Sequence, residues 1–211
     1  MYTPPLFRED DLVAAHALIR AHAFATLVTR LDGRLEATHV PVLLDPDRGP
    51  KGTLAAHVAR ANPIWRALDG REEALLVFTG PHAYVSPRWY ADKARNVPTW
   101  NYVAVHATGR PRLLAPGAPT VALLRRLVDT NEAATPGEPW SVDDAPAGFV
   151  DALSEAIVAF EVEVESLICK KKLSQNRAPA DRTGALAGLA GLDDPAARAV
   201  AALMTLSLIH I

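Results

Sequence analysis

Aromatic rings, basic side chains and prolines concentrate in one stretch of this chain, from Gly80 to Gly109. The stretch reads GPHAYVSPRWYADKARNVPTWNYVAVHATG and holds two of the four tryptophans and three of the four tyrosines. Rings offer stacking area at low entropic cost, and fixed polar groups set the orientation of a ligand. A buried core strand does not need this mixture. We therefore predict a site for a flat, polar, anionic ligand.

The densest part of that stretch runs from Arg88 to Tyr102, where large rings stand directly beside Arg, Lys and Asn. This pattern favours stacking combined with neutralisation of a negative charge. An interface between two copies of the chain is the alternative, because Trp, Tyr and Arg are also enriched at interfaces. The two interpretations are compatible if the ligand lies between the subunits.

Two further segments place polar groups near the end of a predicted strand. The segment Thr38-His39-Val40-Pro41 contains a proline, which frees backbone groups that could bond the edge of a heterocycle. A plain edge strand with a surface histidine is the alternative interpretation of this segment.

The segment from His57 to Pro63 leaves a strand and enters a turn. There Arg60 could bind a phosphate, and Asn62 could bond a ligand or its own backbone. An Asn-Pro turn with a surface arginine is the alternative.

A basic run follows later, Lys170-Lys171-Lys172-Leu173-Ser174-Gln175-Asn176-Arg177. Such a run usually forms a solvated face, and it could instead hold a phosphate or bind nucleic acid. The chain has no H-E-x-x-H, G-x-S-x-G or P-loop motif, so no catalytic set is predicted. His57, His82 and His106 have no carboxylate at matching spacing, and we predict no metal site.

Composition narrows the class of protein. The chain has 211 residues, a net charge of -2 and a sequence pI near 6.4, so a general electrostatic footprint for nucleic acid is absent. The single Cys169 excludes an intrachain disulfide and a cysteine-rich zinc site. No apolar run approaches the roughly 20 residues of a membrane span, and no signal peptide begins the chain, so we expect no membrane partner and a cytoplasmic location.

The elements that must position these groups are mainly short strands. Periodicity and turn signals predict a helix after Asp10 and Asp11 that ends near His22, and later helices over 119–130, 149–158 and 195–204. Strands are predicted over 24–29, 36–44, 53–58, 74–79 and 102–108, with a hairpin turn at Leu31-Asp32-Gly33-Arg34. Phe160, Val162 and Val164 alternate with glutamates, which indicates a half-exposed strand. About six strands with hairpin signals favour a small antiparallel barrel flanked by helices, an α+β class that is mainly β.

The motifs GPHAYVSPRWY, VPTWNYVAVHATG, AHVARANP and KKKLSQNR together resemble the PaiB family, whose members are described as FMN-binding negative transcriptional regulators. The resemblance runs from MYTPPLF to the KLSQNR region. It implies a split β-barrel of the FMN-binding, pyridoxamine-phosphate-oxidase-like type, a homodimer, and FMN bound at the dimer interface. We expect one such domain over residues 1–205 with a C-terminal helical and loop extension, and a non-native tail over 206–211.

The resemblance also implies cofactor-binding residues. Along the isoalloxazine edge it places Thr38, His39, Val40 and Pro41, and near the ribityl phosphate His57, Arg60 and Asn62. The resemblance also implies that residues of the partner subunit or of the pocket wall contact the flavin, namely Trp89, Thr99, Trp100 and Asn101. Residues on the C-terminal side would close the site, namely Lys172, Gln175 and Asn176. The chain departs from the family pattern at Cys169, where relatives carry glycine, and at Ile168, where they carry an acidic residue. If that glycine has a positive φ, Cys169 would strain the segment.

Three function classes follow. The first is a flavin-binding protein with a weak flavin-dependent oxidoreductase activity. The second is a DNA-binding transcriptional repressor without flavin chemistry, although no helix-turn-helix with a basic recognition helix is present. The third is a structural homodimer whose aromatic residues only form an interface.

Overall fold

The computed structural model describes residues 1–209, with side chains to residue 207. Its contacts divide these residues into two compact units. The first unit contains residues 1–18, 79–105 and the chain from residue 168; the second contains residues 19–78 and 106–167. Of the predicted tail, residues 206–209 continue the last helix, and His210 and Ile211 lie outside the described residues. The single-domain expectation and the non-native tail stay predictions.

Residues 1–209 form ten β-strands and five α-helices. The strands are β1 (Arg8–Glu9), β2 (Phe24–Leu31), β3 (Arg34–Pro41), β4 (Leu43–Asp45), β5 (Thr53–Ala59), β6 (Ala74–Val85), β7 (Thr99–Gly109), β8 (Pro111–Leu113), β9 (Ile157–Glu163) and β10 (Ser166–Lys172). The helices are α1 (Leu12–Ala21), α2 (Ala118–Glu132), α3 (Phe149–Ser154), α4 (Pro179–Ala190) and α5 (Pro195–Ile209). The strand pairs with a defined register are antiparallel, which confirms the predicted class: mainly antiparallel β with flanking helices.

The second unit is built from two strand groups that the chain joins at Pro41. In one group β6 and β3 flank β2, and in the other the order is β4-β5-β9-β8. The β2–β3 hairpin turns at Asp32 and Gly33, whose positive φ angles of 49° and 77° match the two-residue turn predicted there. β3 is an edge strand, as Pro41 predicted, but the single strand predicted over 36–44 is divided in two. β3 ends at Pro41, and the Val42 N–H donates to the Ala23 carbonyl before β4 begins.

The segment from Phe160 to Glu165 follows the alternation that the glutamates predicted except at Glu161, since Phe160, Val162 and Val164 are buried and Glu163 and Glu165 are exposed. Glu161 is buried on β9 and accepts two hydrogen bonds from Arg48, at 2.7 and 3.0 Å, and one from Arg112 at 2.7 Å. The Arg48 guanidinium holds the pKa of the Glu161 carboxyl below its usual value, although partial burial opposes this. The burial of Glu161 was not predicted, because sequence alone does not show that two arginines come to a glutamate from other elements.

The first unit has its core between a sheet and a helical hairpin. Its strands follow the order β1-β10-β7-β6, of which β6, β7 and β10 also have residues in the second unit. The core side chains are Ala83, Val85, Tyr90, Val103, Leu173, Ala185, Leu189, Ala197, Val200, Ala201 and Met204. α4 and α5 contribute six of them, so these helices complete a core that the strands begin.

One predicted helix needs correction, and one helix of the structure was not predicted. The helix predicted over 149–158 ends at Ser154, and β9 starts at Ile157, because the β-branched pair Ile157-Val158 joins the strand. The first half of the predicted extension also contains α4, which the sequence did not predict, since its alanines and glycines show no clear apolar stripe. The helices predicted at 12–22, 119–130 and 195–204 are present as α1, α2 and α5.

Candidate functional site

The second unit brings together two predicted residues at the end of β3. The Asn62 side-chain amide donates to the Thr38 hydroxyl at 3.3 Å, and its Oδ1 accepts from the Ile64 N–H at 3.1 Å, capping the short 3-10 helix Pro63–Ala67. His39 is exposed on the strand and stacks on Phe24, whereas Val40 is buried. Asn62 thus does what an Asn-Pro turn requires and also reaches the β3 strand, and its predicted contact with a ligand stays a prediction.

His57 carries an unsatisfied polar atom in the second unit. It lies on β5 opposite Ala159, and its Nδ1 is buried without a hydrogen-bond partner among the described residues. Burial lowers the pKa of the imidazole below its ordinary value, which favours the neutral ring. Buried polar atoms in folded proteins normally have a partner, so the Nδ1 of His57 is a position where a ligand group would be stabilised.

Arg60 is largely occupied by the backbone of its own unit. Its Nε donates to the Glu155 carbonyl at 2.6 Å and its Nη2 to the Ile157 carbonyl at 2.9 Å. Its own carbonyl accepts from the Trp65 indole N–H at 3.0 Å. The guanidinium therefore fixes the chain before β9, and only Nη1 carries no hydrogen bond within residues 1–209. The predicted phosphate contact of Arg60 stays a prediction.

The basic run forms the end of β10 and the turn after it, in the first unit. Lys170 is 7% exposed and donates to the Tyr2 carbonyl at 3.0 Å, and its ammonium lies 5.1 Å from the centre of the Tyr102 ring. Lys171 pairs with Glu9 at 2.6 Å. The run is therefore not the solvated face that such runs usually form, because all three of its lysines donate to defined partners.

Lys172 is held beside two predicted residues. Its ammonium donates to the Thr99 hydroxyl and, at 2.8 Å, to the Trp100 carbonyl. Burial lowers the pKa of this lysine, and the positive charges of Lys170 and Arg177 lower it further. No Asp or Glu within residues 1–209 forms an ion pair with any of these three cations. Lys170, Lys172 and Arg177, here called the cation cluster, form a local excess of positive charge that an anion would offset.

The turn after β10 is fixed by amide side chains. The Gln175 Oε1 accepts from the Leu173 N–H at 2.7 Å and its Nε2 donates to the Lys171 carbonyl at 2.6 Å. Asn101 is fully buried, and its amide is bonded to the Ser174 hydroxyl. Asn176 is exposed on the same turn. The structure thus gives Gln175 and Asn101 internal partners, and their predicted contact with a cofactor stays untested.

The two predicted tryptophans line a groove of about 440 Å³ in the first unit. Trp100 is exposed and its ring meets Tyr84 edge-on at 6.1 Å and His82 at 6.2 Å. Trp89 lies against α4, where a Cβ on Gly188 would come within 2.2 Å of its ring. The two tryptophans of the aromatic stretch therefore differ in their contacts. Trp89 packs between the strands and the helices α4 and α5, whereas the Trp100 side chain is exposed to solvent.

Cys169 does not strain its segment, contrary to the expectation drawn from the missing glycine. It lies on β10 opposite Glu9, and the non-glycine residues with positive φ among residues 1–209 are Asp32 and Ser174. Burial raises the pKa of its thiol to about 11, so the thiol stays protonated and unreactive. Ser174 is the residue that the sequence reasoning missed, because a positive φ at serine has no sequence signal.

Residues 1–209 contain no helix long and apolar enough to cross a membrane. They also contain no group of three or more His, Cys, Asp and Glu side chains placed to hold a metal ion.

Comparison with known sequences identifies relatives over nearly the whole chain. A family described as "Putative FMN-binding domain" matches residues 1–166. The Bacillus subtilis (strain 168) protein called Protease synthase and sporulation protein PAI 2 is 31% identical over 204 residues, which cover 97% of this chain and 96% of the relative. An uncharacterized protein from Aspergillus fumigatus is 31% identical over 235 residues, which cover 89% of this chain and 90% of the relative.

Two solved structures share the fold. The FAD and heme binding protein from Mycobacterium smegmatis gives a TM-score of 0.57 at 16% identity, covering 78% of this chain and 73% of that one. A flavocytochrome from Azotobacter vinelandii gives a TM-score of 0.57 at 18% identity, covering 92% of this chain and 75% of that one. The predicted split β-barrel is thereby confirmed as the fold.

These matches define the class as an FMN-binding split barrel. The chain belongs to the FMN-binding family that its motifs resembled, the PaiB family, and this prediction is confirmed. FMN is accordingly the cofactor that the family assigns to it, as predicted. The residues of the first unit fit such a group, because the cation cluster has no acidic partner among the described residues.

Proposed function

We propose that this protein binds FMN through its phosphate and uses the flavin as a redox centre, as a flavin-dependent oxidoreductase of the PaiB type. The observation that carries the proposal is the cation cluster. Its Lys172 is partly buried next to two other positive charges and has no acidic partner among the described residues, which disfavours its charged form. A phosphate dianion is the kind of ligand that would relieve this repulsion and accept charge-assisted hydrogen bonds.

The second unit carries polar groups of its own, and their contact with the flavin stays a prediction. Thr38 and Asn62 place a hydroxyl and an amide at the edge strand β3. The neutral His57 ring has an unpartnered Nδ1 that can donate or accept a hydrogen bond. Bound FMN supplies one- and two-electron transfer chemistry, and the protein supplies binding and orientation. No general acid or base of the chain is assigned a role.

A homodimer in the cytoplasm is part of the proposal. The outer face of the β2–β3 hairpin carries Phe24 and Leu35, which are 68% and 72% exposed. β3 also leaves its outer edge unpaired in the described residues. Exposed apolar side chains next to an open strand edge are typical of a surface that another copy covers. The predicted location of FMN at that interface belongs to the same proposal.

Direct DNA binding by the basic run has less support. Lys170 is buried against Tyr2 and Tyr102, and Lys171 is paired with Glu9, so these two lysines do not form the exposed stripe that phosphate backbone contacts need. The net charge of -2 points the same way. Regulation through flavin chemistry or a protein partner agrees better with these contacts than direct repression does.

An anaerobic reduction experiment tests the redox role. Protein loaded with FMN is mixed with NADH or with NADPH, and the loss of visible flavin absorbance is followed against free FMN at the same concentration. The proposal predicts faster reduction of the bound flavin with at least one of the two nicotinamides. Reduction no faster than that of free FMN with either reductant would contradict the redox role and leave cofactor binding alone.

A further inference from the structure

Ser174 has a backbone conformation that serine rarely adopts. Its φ is +65°, in the left-handed region, and the residue is 3% exposed at the first turn after β10. A non-glycine residue with this φ is disfavoured unless its surroundings hold it there, and such residues cluster at ligand-binding positions. Ser174 follows Lys172 by two residues and precedes Arg177 by three, so it bends the chain between two members of the cation cluster.

A paired hydrogen bond with Asn101 holds this conformation. The Asn101 Nδ2 donates to the Ser174 Oγ at 2.9 Å, and the Ser174 Oγ donates to the Asn101 Oδ1 at 3.2 Å. Both side chains are buried, so the two bonds form away from competing water. Asn101 also donates to the Met204 sulfur at 3.4 Å, which ties the pair to α5. The Ser174–Asn101 pair is therefore anchored on β7 and on the helical hairpin.

The pair fixes a turn whose charges repel each other. The positive charge of Arg177 lowers the pKa of the Lys172 ammonium, so these two cations are close enough to repel each other. The Ser174 carbonyl accepts from the Arg177 N–H at 3.0 Å, which closes the turn, and the Arg177 side chain donates to Asn96 at 2.6 Å. Without a fixed turn, the two cations would separate in the absence of an anion.

We propose that Ser174 and Asn101 are positioning residues that set the selectivity of the protein for FMN over flavins without a phosphate. They hold the turn in the shape that keeps Lys172 and Arg177 on the same anion. This inference rests on the proposed FMN site, and it assigns Asn101 a role behind the cofactor rather than in contact with it. Ser174 acquires a functional role that neither its residue type nor its position in the sequence indicated.

The test compares the affinities for FMN and riboflavin in four proteins: wild type, Ser174→Ala, Asn101→Ala and the double variant. Flavin fluorescence quenching gives each affinity. We expect each single variant to lower the ratio of FMN to riboflavin affinity by about tenfold, since a displaced cation loses a charge-assisted hydrogen bond to the phosphate. The double variant should lose little more than either single variant, because the two side chains act as one pair.

Asp32→Ala is the matched control. Asp32 is the other described non-glycine residue with a positive φ, 49°, and it lies in the β2–β3 hairpin of the second unit. Alanine meets the same left-handed penalty there, so the variant should lose stability and keep the FMN-to-riboflavin ratio. A second readout uses protein without flavin: inorganic pyrophosphate should raise the thermal midpoint of wild type and Asp32→Ala more than that of Ser174→Ala.

The outcomes separate the inference from the function on which it rests. If Ser174→Ala and Asn101→Ala lower thermal stability but keep the wild-type ratio, the pair is structural only and the inference is overturned while the flavin site stands. If the wild-type protein itself does not prefer FMN to riboflavin, the proposed phosphate site fails and the inference fails with it. A ratio that falls in both variants and not in Asp32→Ala supports the inference.

Discussion

Two cations that the sequence suggested for the same phosphate are used differently by the fold. Arg60 donates hydrogen bonds from Nε and Nη2 to the backbone carbonyls of Glu155 and Ile157, so most of its guanidinium hydrogen bonds are made to the backbone. Lys172 donates to a hydroxyl and a carbonyl but stays next to two uncompensated positive charges. At the scale of single residues, the neighbours of a cation decide its role more than its residue type does.

His57 gives a prediction at the same scale. Burial lowers its pKa below 6.5, so in the folded protein it binds a proton less readily than in the unfolded chain. The unfolded state therefore gains protons first as the pH falls through 6.5, and folding stability is lost from there down through the folded-state pKa. His57→Gln should show a smaller fall in unfolding free energy between pH 7 and pH 5 than wild type.

Chemical denaturation at both pH values measures this difference. His39→Gln, at an exposed position on β3, is the control and should keep the wild-type fall. An unchanged fall in His57→Gln would show that burial of this ring does not limit acid stability.

At the scale of elements, the α4 helix depends on two glycines that make room for Trp89. A Cβ on Gly184 would come within 1.9 Å of the Trp89 carbonyl oxygen, and one on Gly188 within 2.2 Å of the ring. The two positions lie one helical turn apart, on one face of the helix. Close approach between α4 and the 3-10 helix Pro87–Trp89 explains why two glycines, which lower helix propensity, lie within this helix.

Gly188→Ala should therefore destabilise the protein by roughly 1–3 kcal/mol, the usual effect of forcing extra volume into a packed contact. Gly191→Ala is the matched control at the end of the same helix. There the nearest atom to a new Cβ is the Ala187 carbonyl oxygen at 3.4 Å, an ordinary contact, and φ is -81°. Urea unfolding of both variants checks this, and equal stability of the two would contradict the packing argument.

Several strands, turns and helices of the fold were predictable from the sequence. The β2–β3 turn, the edge position of β3 and the α1, α2 and α5 helices followed from turn chemistry, a proline and apolar periodicity. α4 was not predicted, because its helix formation depends on packing of glycines against Trp89 and not on a periodic pattern. The alternation of β9 was predicted, but the burial of Glu161 was not, because it depends on Arg48 and Arg112 from other elements.

Some residues of the candidate site were predicted from sequence motifs, and others were not. Motifs identified Thr38, Asn62, Thr99 and Lys172, which the structure joins in two separate contacts, Asn62 with Thr38 and Lys172 with Thr99. The role of Ser174 was not predictable, since it depends on a backbone angle and a partner 73 residues away. Local chemistry can thus be read from sequence, whereas the groups that hold it in place are set by tertiary contacts.

At the scale of the whole molecule, the proposed homodimer makes the outer face of the β2–β3 hairpin a buried surface. Leu35 and Glu36 are adjacent on β3, and successive side chains of a strand point to opposite faces. Leu35→Lys should shift the protein from dimer to monomer, because it introduces a charge into an apolar contact. Glu36→Lys should remain dimeric.

Sedimentation velocity of both variants at matched concentrations measures this assembly. Circular dichroism provides the folding control, since Leu35 is mostly exposed and contributes little to the fold of its own chain. A Leu35→Lys variant that remains dimeric would show that this face is not the interface.

The central claim is that the cation cluster holds the phosphate of FMN. The most direct measurement is titration of wild type, Lys172→Gln and Lys93→Gln with FMN and riboflavin, followed by flavin fluorescence. Lys93 is an exposed lysine of the 3-10 helix Lys93–Arg95 and controls for loss of one positive charge.

We predict that wild type and Lys93→Gln prefer FMN, and that Lys172→Gln loses about 1.5–3 kcal/mol of FMN binding while keeping its riboflavin affinity. Equal affinity of the wild type for both flavins, or full FMN selectivity in Lys172→Gln, would contradict the claim.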